Sequence, residues 1–295
     1  MLPQDLRIVM DAVLAEQYGT SVRVVDATPV GGGCIHNACR LRLARHRDVF
    51  LKYNAVGEYA NFSAEGRGLR TLAEAEAEAI AIAQPIRHGK SEGHAFLLLE
   101  YIASAPRKRG FWTEFGQQLA GLHRHTQVQY GFVQDNFIGR LAQKNDWRDN
   151  WTDFFVEMRL EPQLVLAEQN GYADAELRRS FARVYHRLPD LVPQEPASLL
   201  HGDLWGGNFM IGAAGEPVII DPAVYYGHRE MEIAFTQLFG GFDREFYAAY
   251  QAAYPLAPGW ESRTDLMNLY PLAVHLNLFG RSYLPEIRRT LGKYA

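Results

Sequence analysis

"HGDLWGGN", residues 201–208, and "IIDPAVYYGHRE", residues 219–230, are the stretches that decide how this chain is read. A turn that only reverses the chain needs a glycine or one small polar residue. This one carries Asp203, Trp205, Gly206, Gly207 and Asn208 together, and Asp221 follows directly on the apolar run "PVII", residues 217–220. Two carboxylates and an amide, on a turn and at a strand end, offer hard oxygen ligands for a divalent cation and an acceptor for a proton.

Phosphoryl transfer from a nucleotide makes these demands. The acceptor hydroxyl must be oriented and deprotonated, and the charge on the phosphate oxygens must be neutralised. Asp203 is placed to act as the base, Asn208 to offer its side-chain oxygen to Mg²⁺, and Asp221 to supply a second oxygen ligand. The spacing H-x-D-x-x-x-x-N followed by a metal-binding aspartate is that of the protein-kinase catalytic loop, with D-P-A standing where kinases have D-F-G. The remaining kinase parts occur upstream in kinase order. Lys52 lies in "VFLKYN" (49–54), at the position of the lysine that touches the α and β phosphates, with Glu65 in the next helix as its partner. Gly31, Gly32 and Gly33 in "VGGGC" (30–34) allow backbone N–H groups to cover the phosphates. "LLLEYI" (97–102) reads as the hinge, with the backbone of Glu100 and Ile102 facing the adenine. Taken singly, the glycines fit a tight hairpin and Lys52 fits a solvated strand. The order of all five parts carries the inference.

The whole chain sets wide bounds. Its 295 residues suffice for about two domains or lobes. Hydrophobic residues at 47% and charged residues at 22% exclude global disorder. A net charge of −4 gives no electrostatic reason to expect nucleic acid or an anionic membrane, so a small substrate is the default partner. Asp5, Arg7, Asp11 and Glu16 interrupt the N-terminal apolar residues, and no window of eighteen apolar residues occurs, so a cytoplasmic protein is expected. Cys34 and Cys39, the two cysteines, are too few for a disulfide scaffold.

Apolar spacing predicts an opening helix ending at Gly19. Three antiparallel strands then follow in "SVRVVDATPV", "NACRLRLA" and "DVFLKYN". A helix over 60–79 comes next despite its glycines, and strands in "AIAIAQPI" (79–86) and "HAFLLLEYI" (94–102) complete a small unit. Long helical patterns over 111–126, 147–169 and 174–188 build a second lobe, with β-structure returning only around 198–222 as a short hairpin that carries the quoted motif. The predicted class is α+β, a two-lobed protein-kinase-like fold. Residues 1–102 form an N-terminal nucleotide-binding lobe with an antiparallel sheet, and residues 103–295 a larger, mainly helical lobe with the catalytic loop and substrate site.

"HGDLWGGN", "IDPAVYYGHREME" and "TQLFGGF", with "GGGCI", "LAGLHR" and "DNFIG", resemble the fructosamine kinase (ketosamine-3-kinase) family, relatives of aminoglycoside phosphotransferases and choline kinases. The likeness runs over nearly the whole chain. Trp205 and the run "DPAVYYGHRE" separate this family from generic aminoglycoside kinases. The resemblance implies ATP- and Mg²⁺-dependent phosphorylation of the 3-hydroxyl of a ketosamine, free or protein-bound, which destabilises the sugar and releases the amine. It also implies Asp203 as base, Asn208 and Asp221 as metal ligands, Lys52 with Glu65 as nucleotide clamp, and Trp205 stacked on the sugar, a role that suits an aromatic face. A redox-linked homodimer through Cys34 is a further implication, beside a monomer.

Other residues invite simpler readings. His123 is expected to face its helix's core and His125 water, rather than to bind metal. His201 is expected to orient the loop by hydrogen bonds, and Glu230 and Glu232 to brace it from the next helix. Two other functions remain to be weighed. An aminoglycoside or choline-type kinase would favour a strongly acidic C-terminal lobe, against Arg281, Arg288, Arg289 and Lys293 here. A pseudokinase binding module would lack one of Lys52, Asp203, Asn208 or Asp221, and all are present.

Overall fold

A computed structural model describes residues 2–31, 36–75 and 80–295. Gly32, Gly33 and Cys34 lie outside the described residues, as does 76–79 of the Ala-Glu stretch. The described chain groups into two compact units. One comprises residues 1–74, 81–109 and 210–221, and the other 75–80, 110–209 and 222–295. The architecture is the α+β, protein-kinase-like one.

The first unit opens with α1 (Gln4–Tyr18), then β1 (Val24–Pro29), β2 (Asn37–Leu43), β3 (Val49–Ala55) and α2 (Tyr59–Glu74). β4 (Ala81–Ile82), β5 (Pro85–Lys90) and β6 (His94–Glu100) follow. Five of these strands form an antiparallel sheet in the order β1-β2-β3-β6-β5. Side chains alternate across it. Leu41, Leu51, Phe96 and Leu98 pack with Leu6, Met10 and Leu14 of α1. On the opposite face Ala95, Leu97 and Leu99 pack with Phe62 and Leu69 of α2. Lys52 is opposite Leu97 in register and shares that face, so the pleat itself turns the lysine toward α2. α2 survives Gly66 and Gly68, which cost about 1 kcal/mol each. Burial of Phe62, Leu69 and Leu72, at about 1.5–3 kcal/mol each, outweighs that cost.

The expected strand "AIAIAQPI" divides in two. Ala81–Ile82 pairs in parallel with residues 218–219, and only from Pro85 does the chain join the five-stranded sheet.

The second unit contains α3 (Phe111–His123), β7 (Thr126–Gln127), β8 (Asn136–Ile138) and β9 (Leu141–Gln143). Then come α4 (Trp151–Phe154), a π-helical segment (Phe155–Leu160), α5 (Glu161–Gln169) and α6 (Ala175–Leu191). The helix expected over 147–169 starts at Trp151, where Asn150 caps it by accepting the Asp153 N–H at 2.9 Å. The short strands β7, β8 and β9 are additions that sequence periodicity did not register.

β10 (Ala197–Leu200) precedes the motif, and β11 (Phe209–Ile211), β12 (Pro217–Ile219) and β13 (Tyr225–Gly227) follow it. Residues 201–208 are therefore not the turn of one hairpin. β10 lies between β13 and β7, so both its edges are taken, whereas β11 belongs to the sheet β11-β12-β4. The motif is a linker between two sheets. Helices α7 (Arg229–Leu238), α8 (Arg244–Ala253), α9 (Trp260–Met267), α10 (Leu269–Phe279) and α11 (Leu284–Tyr294) complete the unit. Among the described residues, no helix is long and apolar enough to cross a membrane.

Candidate active site

In the first unit, β3 carries Lys52 with its side chain only 11% exposed. Its Nζ donates to Glu65 Oε1 at 2.8 Å and to Asp221 Oδ1. Burial works against the ammonium, but Asp221 and Glu65 outweigh it and hold Lys52 above its ordinary value, so it stays charged. Burial, against the pull of Lys52, raises the Glu65 carboxyl above its ordinary value. Asp221 follows the buried β12 with φ of +57°. A left-handed non-glycine residue costs about 1–2 kcal/mol, and aspartate tolerates it better than most. This twist turns the carboxylate to Lys52 at the strand's end.

Of the other expected nucleotide residues, Gly31 is exposed, with open space where a Cβ would sit. Glu100 ends β6 and gives its N–H to Gln84 O at 2.9 Å. Ile102 is half-buried against the apolar cluster of α2 and β6, with Phe50 and Ile220 beside it. His36 was not singled out from the sequence. Its ring lies 4.6 Å from that of Phe62 and 3.2 Å from Asn54 Nδ2, and burial, aided by the Lys52 charge, holds it below its ordinary value. Nothing in the pattern around a single histidine announces that position.

In the second unit, the loop after β10 is held from below. Gly202 has φ of +83°, and a Cβ there would lie 2.1 Å from Ala223 O. Only glycine meets both conditions. Glu232 accepts the N–H of His201 at 3.1 Å and of Gly202 at 2.7 Å, and is bonded to His123 Nε2 at 2.9 Å. His123 in turn bonds Tyr250 Oη at 2.7 Å, which makes it a fully buried core histidine, while His125 is exposed. His201 Nδ1 accepts the Asp203 N–H at 3.2 Å and thereby shapes the turn. Glu230 does not brace the loop. Its carboxylate is forked onto Arg263 at 2.5 and 2.7 Å, which ties α7 to α9 instead.

Asn208 Nδ2 donates to both the carbonyl and the carboxylate of Asp203, at 2.8 and 2.9 Å. Both partners are acceptors, so the amide nitrogen must face them, and Oδ1 is left as the oxygen for a cation. Asn208 carries an amide oxygen and, in the first unit, Asp221 a carboxylate, each a hard donor of the kind magnesium takes. Phe209, packed 5.3 Å from both Phe115 and Phe242, anchors the far end of the loop. Trp205 is 37% exposed, edge-on to Phe239 at 6.1 Å, with its ring over Gly207. Glu195, His228 and Glu230 lie close enough to share an ion, but Arg229 and Arg263 already occupy the two carboxylates.

Residues 8–295 match the sequence profile of the family described as fructosamine kinase. A "probable ketoamine kinase" of Synechocystis is 39% identical over 279 residues, 94% of this chain and 93% of that protein. The chloroplastic protein-ribulosamine 3-kinase of Oryza sativa subsp. japonica is 35% identical over 282 residues, 94% of this chain and 80% of that one. A crystal structure assigned as a fructosamine-3-kinase, from Haemophilus somnus, superposes with a TM-score of 0.86 at 29% identity, covering 98% of this chain and 99% of that one.

Proposed function

The chain belongs to the fructosamine kinase family, and from that premise we propose that it transfers a phosphoryl group from ATP to the 3-hydroxyl of a ketosamine, in a cytoplasmic deglycation reaction. Residues 1–102 hold the nucleotide in this reading, and residues 103–295 carry the catalytic loop and the sugar.

The observation that carries it is the loop chemistry around Asp203. Asn208 and the His201 ring fix the carboxylate and the backbone of Asp203, and the buried Glu232 fixes the turn below. Asp203 accepts the proton of the 3-hydroxyl as its oxygen attacks the γ-phosphorus of ATP, the bond from that phosphorus to the bridging oxygen breaks and ADP leaves, while Trp205 offers an exposed face to the sugar and its cationic amine. Lys52 stays charged between Glu65 and Asp221 and holds the nucleotide's α and β phosphates, while the backbone of Gly31–Gly33, Glu100 and Ile102 covers phosphates and adenine. Asn208 would offer Mg²⁺ its side-chain amide oxygen, and Asp221 its carboxylate. Magnesium, when bound, neutralises the charge on the phosphate oxygens. The 3-phosphorylated adduct is unstable and releases its amine.

Substrates that fit are ribulosamine, erythrulosamine or fructosamine adducts, small or protein-bound. They differ by one or two carbons, worth about 1–3 kcal/mol each in a pocket. ATP consumption over a panel of these ketosamines, with choline and kanamycin as controls, tests the reading. Turnover on ribulosamine or fructosamine with neither control active is the expected result, and activity on choline alone contradicts it.

A further inference from the structure

Arg159 is fully buried, yet none of the carboxylates among the described residues pairs with it. Its guanidinium sits over the rings of Tyr225 at 4.0 Å, Phe154 at 4.6 Å and Tyr270 at 5.5 Å. Nη1 donates to the carbonyls of Lys144 at 2.5 Å and Met158 at 3.0 Å, Nη2 donates to Asn145 Oδ1 at 2.7 Å, and Nε has no acceptor. A buried cation without a carboxylate is expensive, and aromatic faces recover only part of that. An apolar side chain of similar size would fill the space at lower cost. Arg159 lies in the π-helical segment 155–160, where Phe155, Met158, Arg159 and Leu160 are all buried. Such an insertion re-aims side chains and recurs at functional sites.

The cation sets the direction of a chain of amides. Asn145 Oδ1 accepts from Arg159, so Asn145 Nδ2 donates to Asn136 Oδ1 at 3.0 Å. Asn136 Oδ1 also accepts from Gln143 Nε2 at 2.8 Å, which leaves Asn136 Nδ2 to donate to Val224 O at 2.8 Å. Gln143 Nε2 donates further to Ala223 O at 3.1 Å, while its Oε1 accepts the Tyr270 hydroxyl at 2.6 Å. The chain therefore ends on two successive backbone carbonyls. Ala223 donates its own N–H to His201 O at 2.9 Å, and its carbonyl is the group against which Gly202 is seated.

We propose that Arg159 is a positioning residue for phosphoryl transfer: through Asn145, Asn136 and Gln143 it holds the backbone of residues 223–224, against which the His201–Asp203 turn rests, and so fixes where Asp203 presents its carboxylate. This rests on the reading of Asp203 as the base. Arg159 touches neither substrate nor nucleotide in this role. Its loss therefore weakens turnover and spares nucleotide binding.

The test is steady-state kinetics of full-length Arg159→Met, Arg159→Lys and Tyr270→Phe with MgATP and a ribulosamine, beside thermal unfolding of each. Arg159→Met loses about tenfold to a hundredfold in kcat, while KM for ATP stays within about twofold. Arg159→Lys keeps the cation without the fork and recovers part of that loss. Tyr270→Phe, which removes one hydroxyl at the other end of the chain, carries the test if Arg159→Met does not fold, and shows a smaller loss confined to kcat. Variants with wild-type kcat per folded molecule, and only a lowered Tm, overturn the proposal. An active wild type with unaffected variants overturns this inference alone, whereas a wild type inactive on every ketosamine overturns the proposed function and this inference together.

Discussion

Glu232 reaches from α7 to the backbone of Gly202, accepting its N–H at 2.7 Å from a fully buried position. The same carboxylate takes the His201 N–H and meets His123. Burial raises its pKa, but His123, His201 and the Gly202 N–H outweigh burial and hold it below the ordinary 4.5. Its contribution to stability is therefore present above that value and lost as pH falls through the lower folded value. Glu232→Gln should lose about 1–3 kcal/mol in urea unfolding at pH 7. It should also flatten the decline in stability expected of the wild type as pH falls below about 5. An unchanged slope in the variant would mean that other carboxylates carry the acid limb.

The parts of the site that were legible from the sequence are those fixed by short spacing. Asp203 and Asn208 are five residues apart, so one turn brings them together whatever the rest of the chain does. Lys52 and Glu65 lie on adjacent elements, β3 and α2, and the pleat turns one toward the other. Distant pairing escaped. β12 pairs with Ala81–Ile82, some way back along the chain, and the loop that reads as a hairpin is a linker because each flanking strand finds its partners elsewhere. The polar chain under Ala223 escaped for the same reason, since Arg159, Asn145, Asn136 and Gln143 look separately like ordinary surface residues. "DNFIG" contains Asn136 and was the visible trace of it.

Asp221 and Lys52 are predicted to fail in different ways. Positioning and metal electrostatics carry most of phosphoryl transfer, so Asp221→Ala should be at least as damaging to turnover as Asp203→Ala. Lys52→Met should raise KM for ATP as well as lower kcat, because a lysine that holds the α and β phosphates, as proposed, meets the nucleotide in the ground state too. It also leaves Glu65, already raised by burial, without its cation. Near wild-type turnover of Asp221→Ala with MgATP would remove it from the metal site.

Gly207 controls the tryptophan. A Cβ at this position would lie 2.4 Å from Trp205 Cη2, so Gly207→Ala must tilt the ring. If Trp205 carries the sugar as proposed, KM for the ketosamine should then rise about tenfold, a stacking contact being worth roughly 1–2 kcal/mol when desolvated. KM for ATP should not move. Equal changes in both constants would point to a general distortion of the loop.

Turnover of wild type and Asp203→Ala with MgATP and a ribulosamine, the product position read by phosphorus NMR, tests the central claim most directly. The wild type should phosphorylate the 3-hydroxyl, and Asp203→Ala should lose about 10²–10⁴ in kcat with KM for ATP nearly unchanged. Asp203→Ala with wild-type kcat, or phosphate at a different hydroxyl, would contradict the account.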